Sequence, residues 1–110
     1  DVQQRIVDNY GSLGIEVVGE RHLGIRVNHD FALVEPERLL ALMRETAAAR
    51  PQAITTFCTN LRAATLAEAL ERELDIPLLD TVSTTVWGLL RAVSADPAAV
   101  QGWGRMFGWR

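Results

Sequence analysis

Ala53-Ile54-Thr55-Thr56-Phe57-Cys58-Thr59-Asn60 is the stretch on which the fold turns. Up to Phe57 it is uncharged and rich in β-branched residues, a composition that suits a pleated, buried surface. Ala53 to Phe57 therefore reads as a central strand that stops at Cys58-Thr59-Asn60. Immediately after it, Leu66, Ala69, Leu70 and Leu74 fall on one face at helical spacing, with Glu68, Glu71 and Arg72 on the other. A strand followed at once by an amphipathic helix is the repeating unit of an α/β protein.

The same alternation continues in both directions. Upstream, Pro36 suits the first turn of a helix, Glu35 and Glu37 suit the positive end of its dipole, and Leu39, Leu40, Met43 and Ala47 form its stripe. Arg50-Pro51 ends it. Val2, Ile6, Tyr10 and Leu13 mark a first helix, with Tyr10 expected in the core and Gly14 as the stop. Ile15 to Gly19 reads as a short buried strand, and Glu20 to Glu35 as a polar connection. Downstream, Pro77 to Asp80 makes a very short strand. Ser83, Thr84 or Thr85 is placed to cap a last helix whose inward stripe would be Val86, Leu89, Leu90 and Val93.

The predicted order is α-β-α-β-α-β-α, and the fold class is α/β. Residues 1–110 are expected to form a single three-layer lobe, a short, mostly parallel sheet flanked by helices. Such a lobe normally opens with a strand that becomes central in the sheet. This chain opens in a helix, so the first strand of the lobe is expected to be missing.

Composition narrows the function. Nearly half of the 110 residues are hydrophobic and the net charge is -3, which gives no basic footprint for nucleic acid. All eleven basic residues are arginine, so Schiff-base chemistry and a Walker-type phosphate loop have no lysine to use. One cysteine allows no internal disulfide, and no Cys/His spacing suggests a metal site. No apolar run approaches the roughly 20 residues of a membrane span, and no signal pattern opens the chain. A cytoplasmic location, without membrane contact, is the expectation.

Cys58 has the clearest reactive potential. It sits at the carboxyl end of a predicted strand, where open α/β sheets place their ligands. A helix beginning just after it would offer free N–H groups and partial positive charge to a thiolate or a carboxylate. Thr59 and Asn60 add donors beside it. The alternatives are an inert, buried cysteine and residues that only cap a helix. His22 and His29 read as exposed, and Arg62 as solvated.

The run Ile54-Thr55-Thr56-Phe57-Cys58-Thr59-Asn60-Leu61-Arg62 resembles the second cysteine motif of the aspartate/glutamate racemase superfamily, in its maleate isomerase and arylmalonate decarboxylase branch. Four further segments resemble the branch in the same order. They are Leu23-Gly24-Ile25-Arg26-Val27-Asn28, Leu74-Asp75-Ile76-Pro77-Leu78, Ser83 to Leu90 with Trp87 inside, and Gln101-Gly102-Trp103-Gly104-Arg105.

The resemblance implies an enzyme of two α/β lobes with the active site between them, this chain being the carboxyl-terminal half. It implies cofactor-independent isomerisation, racemisation or decarboxylation at a carbon next to a carboxylate. Cys58 would be the acid/base thiol, and Asn28, Thr59 and Asn60 would bind the substrate. The implied partners are a small carboxylate or dicarboxylate and a missing amino-terminal lobe or second copy, without which this chain would have no turnover. Trp103, Phe107 and Trp109 are expected to cover a hydrophobic seam. Two other classes stand beside this one: a non-catalytic folded interaction domain or remnant, and a receiver- or flavodoxin-like module. The latter finds neither an acidic cluster at strand ends nor a phosphate-cradling glycine loop.

Overall fold

The computed structural model describes all 110 residues. Four helices and two strands alternate along most of the chain: α1 (Val2–Ser12), α2 (Pro36–Ala47), β1 (Ile54–Thr55), α3 (Ala67–Leu74), β2 (Leu78–Leu79) and α4 (Thr81–Ala92). Short 3-10 turns occupy Asn28–Leu33, Ala64–Leu66, Pro97–Ala99 and Arg105–Gly108. β1 and β2 are parallel, with Ile54 opposite Leu78 and Thr55 opposite Leu79. The connection between them runs through α3, the crossover that a parallel pair requires. The α/β class read from the sequence is the class observed.

Local chemistry explains most of the ends. The Asp1 carboxylate accepts from the Gln3 N–H and caps α1. Pro36 opens α2, where its missing N–H costs nothing. Asp75 ends α3 in the left-handed conformation, φ 55°, and turns the chain into β2. The core gathers Leu39 and Met43 of α2, Ile54 of β1, Ala67 and Leu70 of α3 and Leu78 of β2, with Leu61 and Ala63 from the loop between β1 and α3. No helix is long and apolar enough to cross a membrane.

Several expectations are corrected. Ile15 to Gly19 forms no strand, because the sheet has two members only. At its end, Gly19 lies against the carboxyl end of α2, where a Cβ would sit 3.8 Å from Ala49 Cβ and Thr46 Cγ2. The strand at Ala53–Phe57 is paired over two residues and on one side, so it is not central. α3 does not follow Cys58 directly; a turn closed by Leu61 N–H on Cys58 C=O and the Ala64–Leu66 turn come first. Glu71, expected on the solvated face of α3, is buried because two backbone N–H groups and Arg105 need its carboxylate.

The last helix is rotated relative to expectation. α4 buries Ser83, while Val86, Leu89 and Val93 face outward. Its cap is Asp80 rather than Ser83, Thr84 or Thr85. Tyr10 is half-buried, its ring edge-on to Phe57 at 5.9 Å. In the tail, Phe107 and Met106 are buried, whereas Trp103 and Trp109 stay substantially exposed.

Candidate functional site

β1 ends at a point where several polar groups from distant parts of the chain meet. Cys58 is half-buried, and its thiol donates to Asn28 Oδ1 at 3.6 Å, thirty residues away in sequence. Asn60 Nδ2 donates to the Asn28 backbone C=O at 3.1 Å. Thus three of the four residues singled out from sequence, Cys58, Asn28 and Asn60, come together. Thr59 lies between them in the chain with its side chain exposed and free of hydrogen bonds within the protein. Asn28 opens the Asn28–Leu33 turn and is exposed on its outer side, so the Cys58–Asn28 pair is open to solvent.

The backbone at Cys58 is unusual. Its φ is 142°, whereas the other non-glycine residues with positive φ, Arg50, Asp75 and Ser94, lie between 52° and 59° in the ordinary left-handed well. A side-chain-bearing residue beyond that well costs on the order of 1–3 kcal/mol and persists only when its surroundings over-determine it. Here they do. The Cys58 N–H donates to Thr81 Oγ1 at 3.3 Å, and the Thr81 hydroxyl donates to the Thr56 C=O. Asp80 Oδ1 accepts from the Thr56 hydroxyl at 3.1 Å, and the Thr55 hydroxyl donates to the Leu79 C=O at 2.9 Å.

A helix amino terminus does adjoin the cysteine, but it belongs to α4 and not to the helix that follows Cys58 in sequence. Parallel pairing of β1 with β2 brings Asp80 and Thr81, the cap and first residue of α4, beside Thr56 and Cys58. Asp80 Oδ2 satisfies the N–H groups of Val82 at 2.9 Å and Ser83 at 3.1 Å. Asp80 and Thr81 escaped the sequence reading. The available signal was an Asp-Thr pair straight after a strand and before an apolar helix, a regular N-cap pattern.

Other polar candidates stand apart. His22 pairs with Glu20 at 3.0 Å on the surface, and His29 is exposed. Arg62 is exposed and contributes no hydrogen bond to the cluster. What the cluster can do chemically is limited and clear. A thiol is presented to solvent next to a side-chain amide, which offers C=O in one orientation and N–H in the other. Such a pair can exchange a proton and hold an anionic oxygen.

Comparison with known proteins bears on the family and the fold. Residues 1–107 match the family model described as arylmalonate decarboxylase. No curated protein matches the chain. Among solved structures, a cysteine-to-serine mutant of Nocardia farcinica maleate cis-trans isomerase carrying a covalently bound succinylcysteine intermediate superposes with a TM-score of 0.89 at 23% identity. That match covers 96% of this chain and 43% of the isomerase. Arylmalonate decarboxylase superposes with a TM-score of 0.82 at 25% identity, over 97% of this chain and 48% of that one. A glycine-to-cysteine mutant of arylmalonate decarboxylase, in a sulfate-associated form, gives 0.85 at 24%, over 98% and 47%. The chain thus spans less than half the length of these solved relatives. With the family model matched over nearly all of its length, this chain belongs to the arylmalonate decarboxylase family.

Proposed function

We propose that this chain is the carboxyl-terminal lobe of a cofactor-independent, cysteine-dependent isomerase, racemase or decarboxylase acting at a carbon next to a carboxylate. The observation that carries the reading is the meeting of the Cys58 thiol with Asn28 at 3.6 Å, at the end of β1. A carbon beside a carboxylate is a weak acid, so its reaction passes through an enediolate-like state that preorganised donors must stabilise. In decarboxylation, the bond to the departing carboxylate breaks and leaves its electron pair in that state. Cys58 then gives its S–H proton to the carbon. In isomerisation or racemisation the same thiol works across the substrate from groups of another lobe.

Asn28 takes one substrate carboxylate oxygen through its side-chain amide. Asn60 holds the Asn28 backbone in place and, with Thr59, adds donors at the rim. The chemistry assigned to these groups calls for no metal or organic cofactor. The substrate is a small carboxylate or dicarboxylate. An amino-terminal lobe, or a second copy of the chain, supplies the opposite wall of the site, and the lobe alone is expected to bind rather than turn over.

Alkylation of Cys58 in the presence and absence of maleate or a substituted malonate tests the reading. Protection by the diacid, lost in Asn28→Ala, is the expected result. A thiol that reacts at the same rate with and without diacid overturns it and leaves the chain as a folded interaction domain.

A further inference from the structure

We infer that Thr81 is the positioning residue of the cysteine: its hydroxyl, bridging the Cys58 N–H and the Thr56 C=O, holds the Cys58 backbone in the conformation that aims the thiol at Asn28. Its value to catalysis rests on the reading of Cys58 given above. The positioning itself does not.

The bridge is specific to a hydroxyl. One oxygen accepts from the N–H of Cys58 and donates to the C=O of Thr56, two residues earlier, so it spans the end of β1 from the side. Only a group that is donor and acceptor at once can do this. Thr81 is itself held, since it is the first residue of α4 and follows Asp80, whose carboxylate takes both the Thr56 hydroxyl and the first free N–H groups of the helix. The cysteine is thereby locked to α4, not merely to its own strand. The conformation at φ 142° is one that a residue with a Cβ does not adopt unaided. Without the bridge, the backbone of Cys58 relaxes to negative φ and the thiol turns from Asn28.

The three-bond coupling between the amide proton and the α proton reads this directly, because it is small at φ near 142° and large for an extended residue. In the 15N-labelled chain, Cys58 is expected to show a small coupling and slowed amide exchange. Thr81→Ser keeps the hydroxyl and should retain both. Thr81→Val keeps the shape and should give a large coupling and an exchange rate raised at least tenfold at Cys58. Leu70 and Met43 amides in the core serve as the control for folding. A Thr81→Val chain that keeps its fold, the small coupling and the slow exchange overturns the proposal. So does a wild-type Cys58 amide that exchanges freely, a result that stands even if the valine variant fails to fold. Diacid protection of the thiol, measured on the same samples, separates the two ideas. Its absence in the wild-type chain removes the enzymatic reading, while the coupling still decides the role of Thr81.

Discussion

Asp80 is fully buried, and its carboxylate joins the end of β1 to the start of α4. Removing it in Asp80→Ala takes away a helix cap, worth about 0.5–2 kcal/mol, and strands buried donors at about 1–3 kcal/mol. A loss of about 1.5–5 kcal/mol in urea unfolding is expected from these two contributions. Asp80→Asn keeps an acceptor and should lose clearly less. At this scale the sequence was partly legible. Cys58 declares itself by being the single thiol at a strand end, and Asn28 by its place in a motif. Thr81 does not, because its role arises from the pairing of β1 with β2, which joins residues more than twenty positions apart.

At the scale of elements, α2 and α3 are tied by Arg44 and Glu73, through Nε to Oε1 at 2.6 Å and Nη2 to Oε2 at 3.0 Å. The hydrogen bonds from Arg44 hold the Glu73 carboxyl below the usual glutamate range, against an opposing effect of desolvation, with the Arg44 charge adding a lesser push downward. A lowered folded-state value means that the clamp stabilises the protein above the ordinary glutamate range. That stabilisation disappears as pH falls through the folded value. The Tm difference between wild type and Glu73→Gln should therefore be present at neutral pH and vanish in acid. Both side chains are about half-exposed, so high salt should shrink it too. The start of α2 at Pro36, which depends on nearby residues, was open to sequence reasoning. Which face of α4 turns inward was not. Val82, Val86, Leu89 and Val93 point outward, Trp87 and Leu90 are half-buried and Ser83 is buried, a choice that depends on what α4 meets as well as on its own periodicity. The start of α3 was misplaced because Thr59 and Asn60 are favoured cap residues, whereas Leu66 at the real start makes no side-chain cap and only Glu68 marks the first turn.

Across the whole molecule the core is thin. The accessible surface is 7545 Å², where a folded chain of this mass is expected to show about 6,100 Å². The radius of gyration is 14.2 Å, against about 13 Å for a compact domain of this length. With so few buried residues, a polar lock that fastens the tail to α3 takes a large share of the stability. Glu71 is that lock. Its Oε1 accepts from the Leu78 N–H at 3.0 Å and its Oε2 from the Arg105 N–H at 2.8 Å, so one carboxylate joins α3, β2 and the tail. Gly104 makes the approach possible. At φ 109° it adopts a conformation that other residues avoid, and a Cβ there would sit 3.2 Å from both Ala67 Cβ and Glu71 Oε1. Gly104→Ala must therefore strain the backbone and push against two neighbours, at about 1–3 kcal/mol. Glu71→Ala, which leaves two N–H groups unpaired, should lose about 2–5 kcal/mol. If the two act through the same lock, the double variant loses less than the sum of the singles, because the tail is already released in either one. Equilibrium unfolding of the four chains measures this. Strict additivity would mean that Gly104 supports the tail independently of Glu71, and that the buried Met106 and Phe107 hold it in place on their own.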